Sequence, residues 1–183
     1  LMDAQELIFD RHSVRDFLPE PIAMEILSDI LQAGRLAPST QNRQPWRYLV
    51  FTENAKIRKL AVNCGLIGLS NFFIRQAPCL ILACADLKDN ININGQDYYL
   101  VDTAISFHQL LLYARSYGIE SCWLAAFSEK KLRNYLQLPA QWKIVAMAPL
   151  GYPKEKKGFY SKTISGLAKS SQRKPLEEIV RFM

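Results

Sequence analysis

Residues 102–117 are apolar on nearly every side, and Gly118 follows them. A stretch of that kind predicts a buried central helix around which the rest of the chain must pack. The chain has 183 residues, 49% of them hydrophobic. That is enough apolar surface to enclose such a helix in one core without a disulfide or a metal. The segments before and after it read as helices interleaved with about four strands, and their order does not alternate βαβα. No GxGxxG follows a strand and no GxxxxGK[ST] occurs, which disfavours a doubly wound dinucleotide-binding fold and a P-loop fold. Helices packed on a small mixed or antiparallel sheet fit better, an α+β arrangement.

Along the chain, residues 3–10 read as a short helix that buries Leu7, Ile8 and Phe9 in part. Pro19 and Pro21 read as the start of a strong helix to about residue 34, because proline is tolerated in a first turn. Ile22, Ile26, Ile30 and Leu31 form its apolar stripe, widened by Leu27. Residues 37–46 form a polar loop with two prolines. Residues 48–52 read as the first core strand. Helices are expected over 54–63 and 66–76, and a buried strand over 79–85. Residues 86–99 are a polar excursion or short lid. After Gly118, residues 122–127 read as a turn or short strand, 129–136 as a helix and 142–148 as a core strand closed by residues 149–153. Residues 154–172 are loop-like, and residues 175–180 form a final ordered piece. There is no repeat, so the whole of 1–183 is expected to be one domain.

Charge and cysteine content narrow the function classes. Residues 154–174 carry seven basic residues (Lys154, Lys156, Lys157, Lys162, Lys169, Arg173 and Lys174) and one acid, Glu155, so the net charge of +6 resides there. Such a segment suits either a solvated loop or an anionic cofactor or substrate. Its two aromatics, Phe159 and Tyr160, and the lack of a surrounding signature argue against nucleic acid. No apolar run reaches the roughly 18 residues of a membrane span. The first six residues lack the basic and apolar halves of a signal peptide. The four cysteines form no CxxC pair and only two histidines occur. Buried thiols in a reducing cytoplasm, with no zinc site, is the simpler reading.

Neither GxSxG nor HExxH is present, and His12 beside Ser13 is not a nucleophile–base arrangement. Three polar clusters remain. Arg11, His12, Ser13 and Arg15 put two guanidinium forks and a hydroxyl together, which suits a phosphate monoester or, equally, a turn whose arginines bond carbonyls and acids. Ser39, Asn42 and Gln44 can bond the edge of a planar heterocycle or cap the backbone of a helix-to-strand connection. Arg173 and Lys174 can add charge to the same phosphate or stay solvated.

The run Arg11-His12-Ser13-Val14-Arg15-Asp16-Phe17, followed by Ala37-Pro38-Ser39-Thr40-Gln41-Asn42-Arg43-Gln44-Pro45-Trp46, resembles the opening of the nitroreductase family of flavoproteins. Gly118-Ile119-Glu120-Ser121-Cys122-Trp123-Leu124, Pro149-Leu150-Gly151-Tyr152-Pro153 and Arg173-Lys174-Pro175-Leu176-Glu177-Glu178-Ile179-Val180 resemble later stretches of that family, in order and spacing. The resemblance implies an α+β, nitroreductase-like three-layer fold, with helices around a small, mainly antiparallel sheet. It also implies an intertwined homodimer with two FMN molecules at the subunit interface. Residues 154–183 would be a basic loop plus a C-terminal arm. Carried over, Arg11, Ser13 and Arg15 would hold the ribityl phosphate, with His12 contributing backbone or a weaker polar bond. Arg173 would complete the clamp with Lys174 beside it. Pro38, Ser39, Thr40 and Asn42 would reach the partner's flavin, with Gln44 near the ring or ribityl chain. The backbone at Leu124, Ala125 and Ala126 would face the isoalloxazine, where many relatives carry glycine.

The resemblance further implies a cytoplasmic ping-pong oxidoreductase. NADH or NADPH would pass hydride to FMN, which would then reduce a small planar acceptor such as a nitroaromatic or quinone. No catalytic acid, metal, nucleic acid or membrane partner is called for. His108 is expected as a satisfied core histidine, and Phe72, Phe73, Tyr98 and Tyr99 as candidates for an acceptor-pocket wall or for packing. Two other readings stand beside this one. One is an FMN enzyme of related fold with different chemistry, namely flavin fragmentation, dehalogenation or dehydrogenation. The other is a non-catalytic flavin-binding protein.

Overall fold

The computed structural model describes residues 3–64, 66–155 and 172–183, without the side chains of 66–70. Its frame is a four-stranded antiparallel sheet in the order β1-β2-β6-β5. These strands are β1 (Trp46–Phe51), β2 (Cys79–Asp86), β5 (Glu120–Ser121) and β6 (Trp142–Gly151). A two-stranded hairpin, β3 (Asn92–Ile93) and β4 (Gln96–Asp97), stands apart. The helices are α1 (Ala4–Phe9), α2 (Met24–Arg35), α3 (Asn54–Asn63), α4 (Tyr98–Ala114), α5 (Glu129–Leu136) and α6 (Leu176–Ile179).

All eight residues of β2 are buried, and their alternation makes the three layers. Leu80, Leu82 and Cys84 enter a core with Ile57 and Leu60 of α3 and Leu132 of α5. Cys79, Ile81 and Ala83 enter a second core with Leu27 and Ile30 of α2 and Phe107 and Leu110 of α4. Strand period 2 thus feeds two opposite helical layers. Each fully buried Leu, Ile or Phe contributes about 1.5–3 kcal/mol, so this strand is the thermodynamic centre of the chain. Opposite it, Ala83 pairs with Ala146 but Cys84 with Ile144, leaving Val145 as a bulge. The bulge resets the phase, so Ile144 shares the Cys84 core while Ala146 and Ala148 share the other.

α2 and α4 approach closely at Gly34, where an added Cβ would lie 3.1 Å from the Leu110 Cβ and 3.3 Å from the Tyr48 hydroxyl. Ser106 Oγ donates to Gly34 O at 2.6 Å and meets the Tyr48 hydroxyl at 2.6 Å. Burial pushes the Tyr48 phenol up to about 12, with the Ser106 hydrogen bond opposing.

Several expectations are corrected. Helix α2 begins at Met24, with no side-chain cap at Ala23. Leu18 upstream is tied to the sheet end through its N–H to Tyr152 O at 2.8 Å, and that holds the proline-containing stretch out of the helix. Ile8 and Phe9 are exposed, at 58% and 78%. β1 is an edge strand beginning at Trp46, only that residue being fully buried. Residues Leu66–Gln76 form 3-10 turns. Asn71, Phe73 and Ile74 are buried there, and tight 3-10 turns of this kind serve as short connectors. The polar excursion contains the β3–β4 hairpin, turned by Asn94 (φ 54°) and Gly95 (φ 78°). Two positive φ values make the type I′ turn that Asn-Gly favours. β6 continues through Pro149 to Gly151. Pro149 is tolerated in this inner strand because β5 pairing lapses beside it, between the Ser121↔Leu150 and Leu124↔Met147 pairs.

The central helix departs most from expectation. Asp102, Ser106, Phe107 and Leu110 are buried, but Leu100, Val101, Ile105 and Tyr113 are 40–47% exposed. One apolar face of α4 is uncovered in the single chain. The helix ends at Gly118 in the left-handed region, φ 70°, a position glycine takes at little cost. The four cysteines are free and buried. Among the described residues no helix is long and apolar enough to cross a membrane.

Candidate functional site

The segment after α1 is an extended strip stitched to the sheet. Buried Arg115 sets its entry: Nε donates to Glu120 Oε1 at 3.0 Å and the guanidinium donates to the carbonyls of Glu6 and Leu7. This fixes the end of α1 against the end of α4. Val14 N–H then donates to Ser121 O at 3.0 Å, Lys154 N–H to Asp16 O at 3.1 Å, and Phe17 bridges Pro153. Val14 and Phe17 are buried in the core, which aligns the polar residues between and before them.

Those residues converge. Arg15 is 8% exposed, with one guanidinium nitrogen 3.5 Å from Ser13 O. Burial raises the Cys122 thiol pKa, while Arg15, a hydrogen bond with Ser13, and Arg11 oppose the rise. Burial, then Arg11, lowers the pKa of His108. Arg11, Ser13, Arg15, Cys122 and His108 therefore share one neighbourhood. His108 is not a core histidine: it lies on the exposed side of α4. His12 is exposed, with Nδ1 3.0 Å from Asp10 O.

A backbone shelf follows Cys122. Trp123 packs on Phe107 with ring centroids 4.9 Å apart. Leu124 and Met147 exchange backbone hydrogen bonds of 2.9 and 3.0 Å. Ala125 and Ala126 are exposed. Their carbonyls are engaged, Ala126 O by buried Asn71 Nδ2 at 2.5 Å and Ala125 O by Phe127 N–H at 3.0 Å. Among the described residues, neither the Ala125 nor the Ala126 N–H has a hydrogen-bond partner. Two donors side by side beside a cationic, hydroxyl-bearing cluster can take a planar ring carrying acceptors and, next to it, a phosphate monoester.

Residues 38–44 stand elsewhere. Thr40 N–H and Oγ1 both donate to Asp102 Oδ1, at 2.9 and 3.0 Å. Ser39 Oγ accepts the Gln44 N–H at 3.0 Å, and Gln44 Nε2 donates to Asn42 O and Oδ1 at 3.1 and 3.0 Å. Gln41, Asn42 and Gln44 have φ of 50°, 58° and 51°, a left-handed backbone that costs non-glycine residues roughly 1–3 kcal/mol each. Pro38 is exposed and Ser39 half-buried. The loop leads into Trp46, opposite Ala85, which pairs with Lys143. The 11–15 strip lies by Ser121, which pairs with Leu150. At about 3.3 Å per residue, the two groups sit about 23 Å apart along β6, at opposite corners of one sheet.

The chain matches the nitroreductase family model over residues 8–64 and 67–152. It belongs to the nitroreductase family. It is 32% identical over 161 residues to an Archaeoglobus fulgidus protein assigned as NADH dehydrogenase/NAD(P)H nitroreductase, covering 85% of this chain and 88% of that one. It is 27% identical to the 5,6-dimethylbenzimidazole synthase of Rhodospirillum rubrum, covering 84% and 83%. Among solved structures, an FMN-dependent nitroreductase from Clostridium difficile superposes with a TM-score of 0.73 at 26% identity, covering 86% and 92%. The nitroreductase-like α+β fold read from the motifs is the fold observed.

Of the remaining candidates in this nitroreductase-family chain, Arg173 donates to Gln172 O at 2.8 Å, and Lys174 pairs with Glu178 at 3.8 Å on an exposed tail. Neither of these contacts involves the 11–15 strip. Lys156, Lys157, Lys162, Lys169, Phe159 and Tyr160 lie outside the described residues. Phe73 is core, 2% exposed, and so is not a pocket wall, whereas Phe72 is 38% exposed. Tyr98 and Tyr99 are half-buried at the start of α4. Among the described residues no three His, Cys, Asp or Glu side chains group to hold a metal. Sequence reasoning missed Asp102 and Asn71. The signal for Asp102 was available: a lone acid in an otherwise apolar helix is buried only when paired.

Proposed function

We propose that this chain is an FMN-dependent oxidoreductase that passes hydride from NADH or NADPH through the flavin to a small planar acceptor such as a nitroaromatic or quinone, and that it works as an intertwined homodimer. In this reading all of 1–183 is one flavin-binding domain. Bound FMN would supply the hydride-transfer chemistry. Arg11, Ser13 and Arg15 would hold its phosphate, with His12 beside them and Arg173 and Lys174 approaching from the tail. The Ala125 and Ala126 N–H groups, next to Leu124, would orient the ring and counter negative charge on it without reorganising. Pro38, Ser39, Thr40, Asn42 and Gln44 would complete the site from the other subunit.

The single observation that carries this proposal is the separation of the two polar groups to opposite corners of one sheet. If both groups hold one flavin, about 23 Å of strand between them favours a second copy supplying the other group. Two further features support the pairing. The uncovered apolar face of α4 seeks a partner. The tail exposes Leu176, Ile179, Phe182 and Met183, while among the described residues β1 lies at the sheet edge with one side unpaired.

The test is an anaerobic visible spectrum of FMN-saturated protein before and after NADH, then NADPH. Loss of the oxidised-flavin band with either donor is expected, followed by its return on adding a nitroaromatic or quinone. Bound flavin that stays oxidised with both donors would overturn the reductase reading. Flavin that is consumed, rather than reversibly reduced, would favour the alternative reading of flavin fragmentation.

A further inference from the structure

A cleft of about 590 Å³ opens on the outer surface of the α3 layer. Asn54, Arg58 and Val62 line one wall. They recur every four residues and so share one face of α3, beside the buried stripe of Ile57, Leu60 and Ala61. Phe72, Arg75, Gln76 and Lys154 also line it, together with Pro19 and Phe17, itself only 1% exposed. None of these residues belongs to the shelf at Leu124, Ala125 and Ala126 or to the 38–44 loop, and the polar groups of Arg11, Ser13 and Arg15 do not line it.

The charge in this cleft is of one sign. Arg58, Arg75 and Lys154 line it, and among the described residues no Asp or Glu does. Among the described residues none of the three makes an ion pair. Elsewhere on the same helix, Lys56 pairs with Glu53 at 2.7 Å, while Lys59, which does not line the cleft, has no ion pair among the described residues. Arg75 is also held in place, its guanidinium 4.1 Å from the centroid of Phe72. A cation stacked on an aromatic face keeps its N–H edge for an acceptor. Three unpaired cations converging on a concave, partly apolar surface focus a positive potential into it. The volume lies within the roughly 300–1,000 Å³ usual for small-molecule sites.

We propose that this cleft is a second binding site, for a small organic anion: a carboxylate or phosphate monoester carried on an aromatic or aliphatic body. Arg58, Arg75 and Lys154 take the anionic oxygens. Asn54 and Gln76 offer amide groups in its lining, and Val62 and Phe72 take the apolar body. The site does not rest on the flavin assignment, because it shares no polar group with it.

The test is isothermal titration of the FMN-saturated protein with phenyl phosphate and with benzoate, using benzyl alcohol as the neutral control. At least one anion is expected to bind, more weakly as salt is raised, and benzyl alcohol is not. Replacing Arg58→Gln and Arg75→Gln together is expected to weaken that binding at least about tenfold, since each lost charge-assisted hydrogen bond is worth roughly that factor or more. K154Q, beyond the end of β6, should weaken it less. Flavin affinity of these variants, read from the visible spectrum, is expected to be unchanged. Relieving like-charge repulsion should leave the thermal midpoint of the ligand-free variants equal or higher at low salt, whereas cations with only a structural role would lower it when removed. Failure of both anions to bind, or equal binding by wild type and the double variant, would overturn the proposal. A chain that takes up no flavin is titrated as purified, so the two readings fail separately.

Discussion

The two corners of the sheet are built on different principles. The 11–15 strip is held by main-chain hydrogen bonds to Ser121, and its continuation by bonds to Tyr152 and Lys154. Its geometry depends little on which polar side chains it carries. The 38–44 loop is held by side chains, above all by one buried carboxylate, Asp102, against a backbone with three left-handed non-glycine residues. The first corner is a rigid shelf edge onto which chemistry has been placed. The second is a sprung loop whose shape is maintained from the α4 side. A binding site divided between such corners can fix one end of a ligand firmly and adjust at the other.

Replacing Arg15→Ala sharpens the comparison at the first corner. A charge-assisted bond to phosphate is worth about 1.5–3 kcal/mol, so FMN affinity of the variant should fall by roughly 10–100-fold. Fluorescence titration of apoprotein reads this. Unchanged affinity would remove Arg15 from the phosphate site, while the urea midpoint reports separately on its buried contacts.

Asp102→Ala probes the second corner. It leaves the Thr40 N–H and hydroxyl without their shared acceptor. The expected cost is about 2 kcal/mol of stability, as for the loss of hydrogen bonds to a charged group. Proteolysis within residues 38–44 should accelerate with it. Distant sites add, so the double variant with Arg15→Ala should show the sum to within about 0.5 kcal/mol. A loop that keeps its protease resistance without Asp102 would mean that its self-bonding through Ser39, Asn42 and Gln44 is sufficient.

How much of this was legible depended on which interaction decided each element. β2 and the bodies of α3 and α5 followed from local pattern, because their apolar spacing and their burial agree. The start of α2 did not, because Pro19 and Pro21 carry a valid first-turn signal that the Leu18–Tyr152 pairing overrides. The Asn94-Gly95 hairpin was readable from its dipeptide and was passed over as a lid. The exposed face of α4 could not be read, since apolar periodicity is the same whether a face meets the core or a partner. At the candidate site, the ordered motifs revealed the family and the residue types. They did not reveal that Arg11 acts electrostatically on His108, or that Asp102 supports Thr40, because these depend on residues brought together from 97 and 62 positions apart.

His108 yields the smallest expected effect and bears on the first corner alone. Burial, then Arg11, holds its pKa below the usual 6.5, so the folded chain binds fewer protons there than the unfolded chain. The associated stability is fully present above pH 6.5 and is lost as pH falls through that value towards the folded pKa. Urea midpoints measured from about pH 7.5 to about pH 5.5, at one protein concentration, should therefore decline more steeply for wild type than for His108→Gln. Arg11→Gln should flatten the wild-type slope only in part, because desolvation is the larger cause and survives the change. Parallel slopes for wild type and His108→Gln would separate His108 from the Arg11 neighbourhood and leave the first corner as Arg11, Ser13, Arg15 and Cys122 alone.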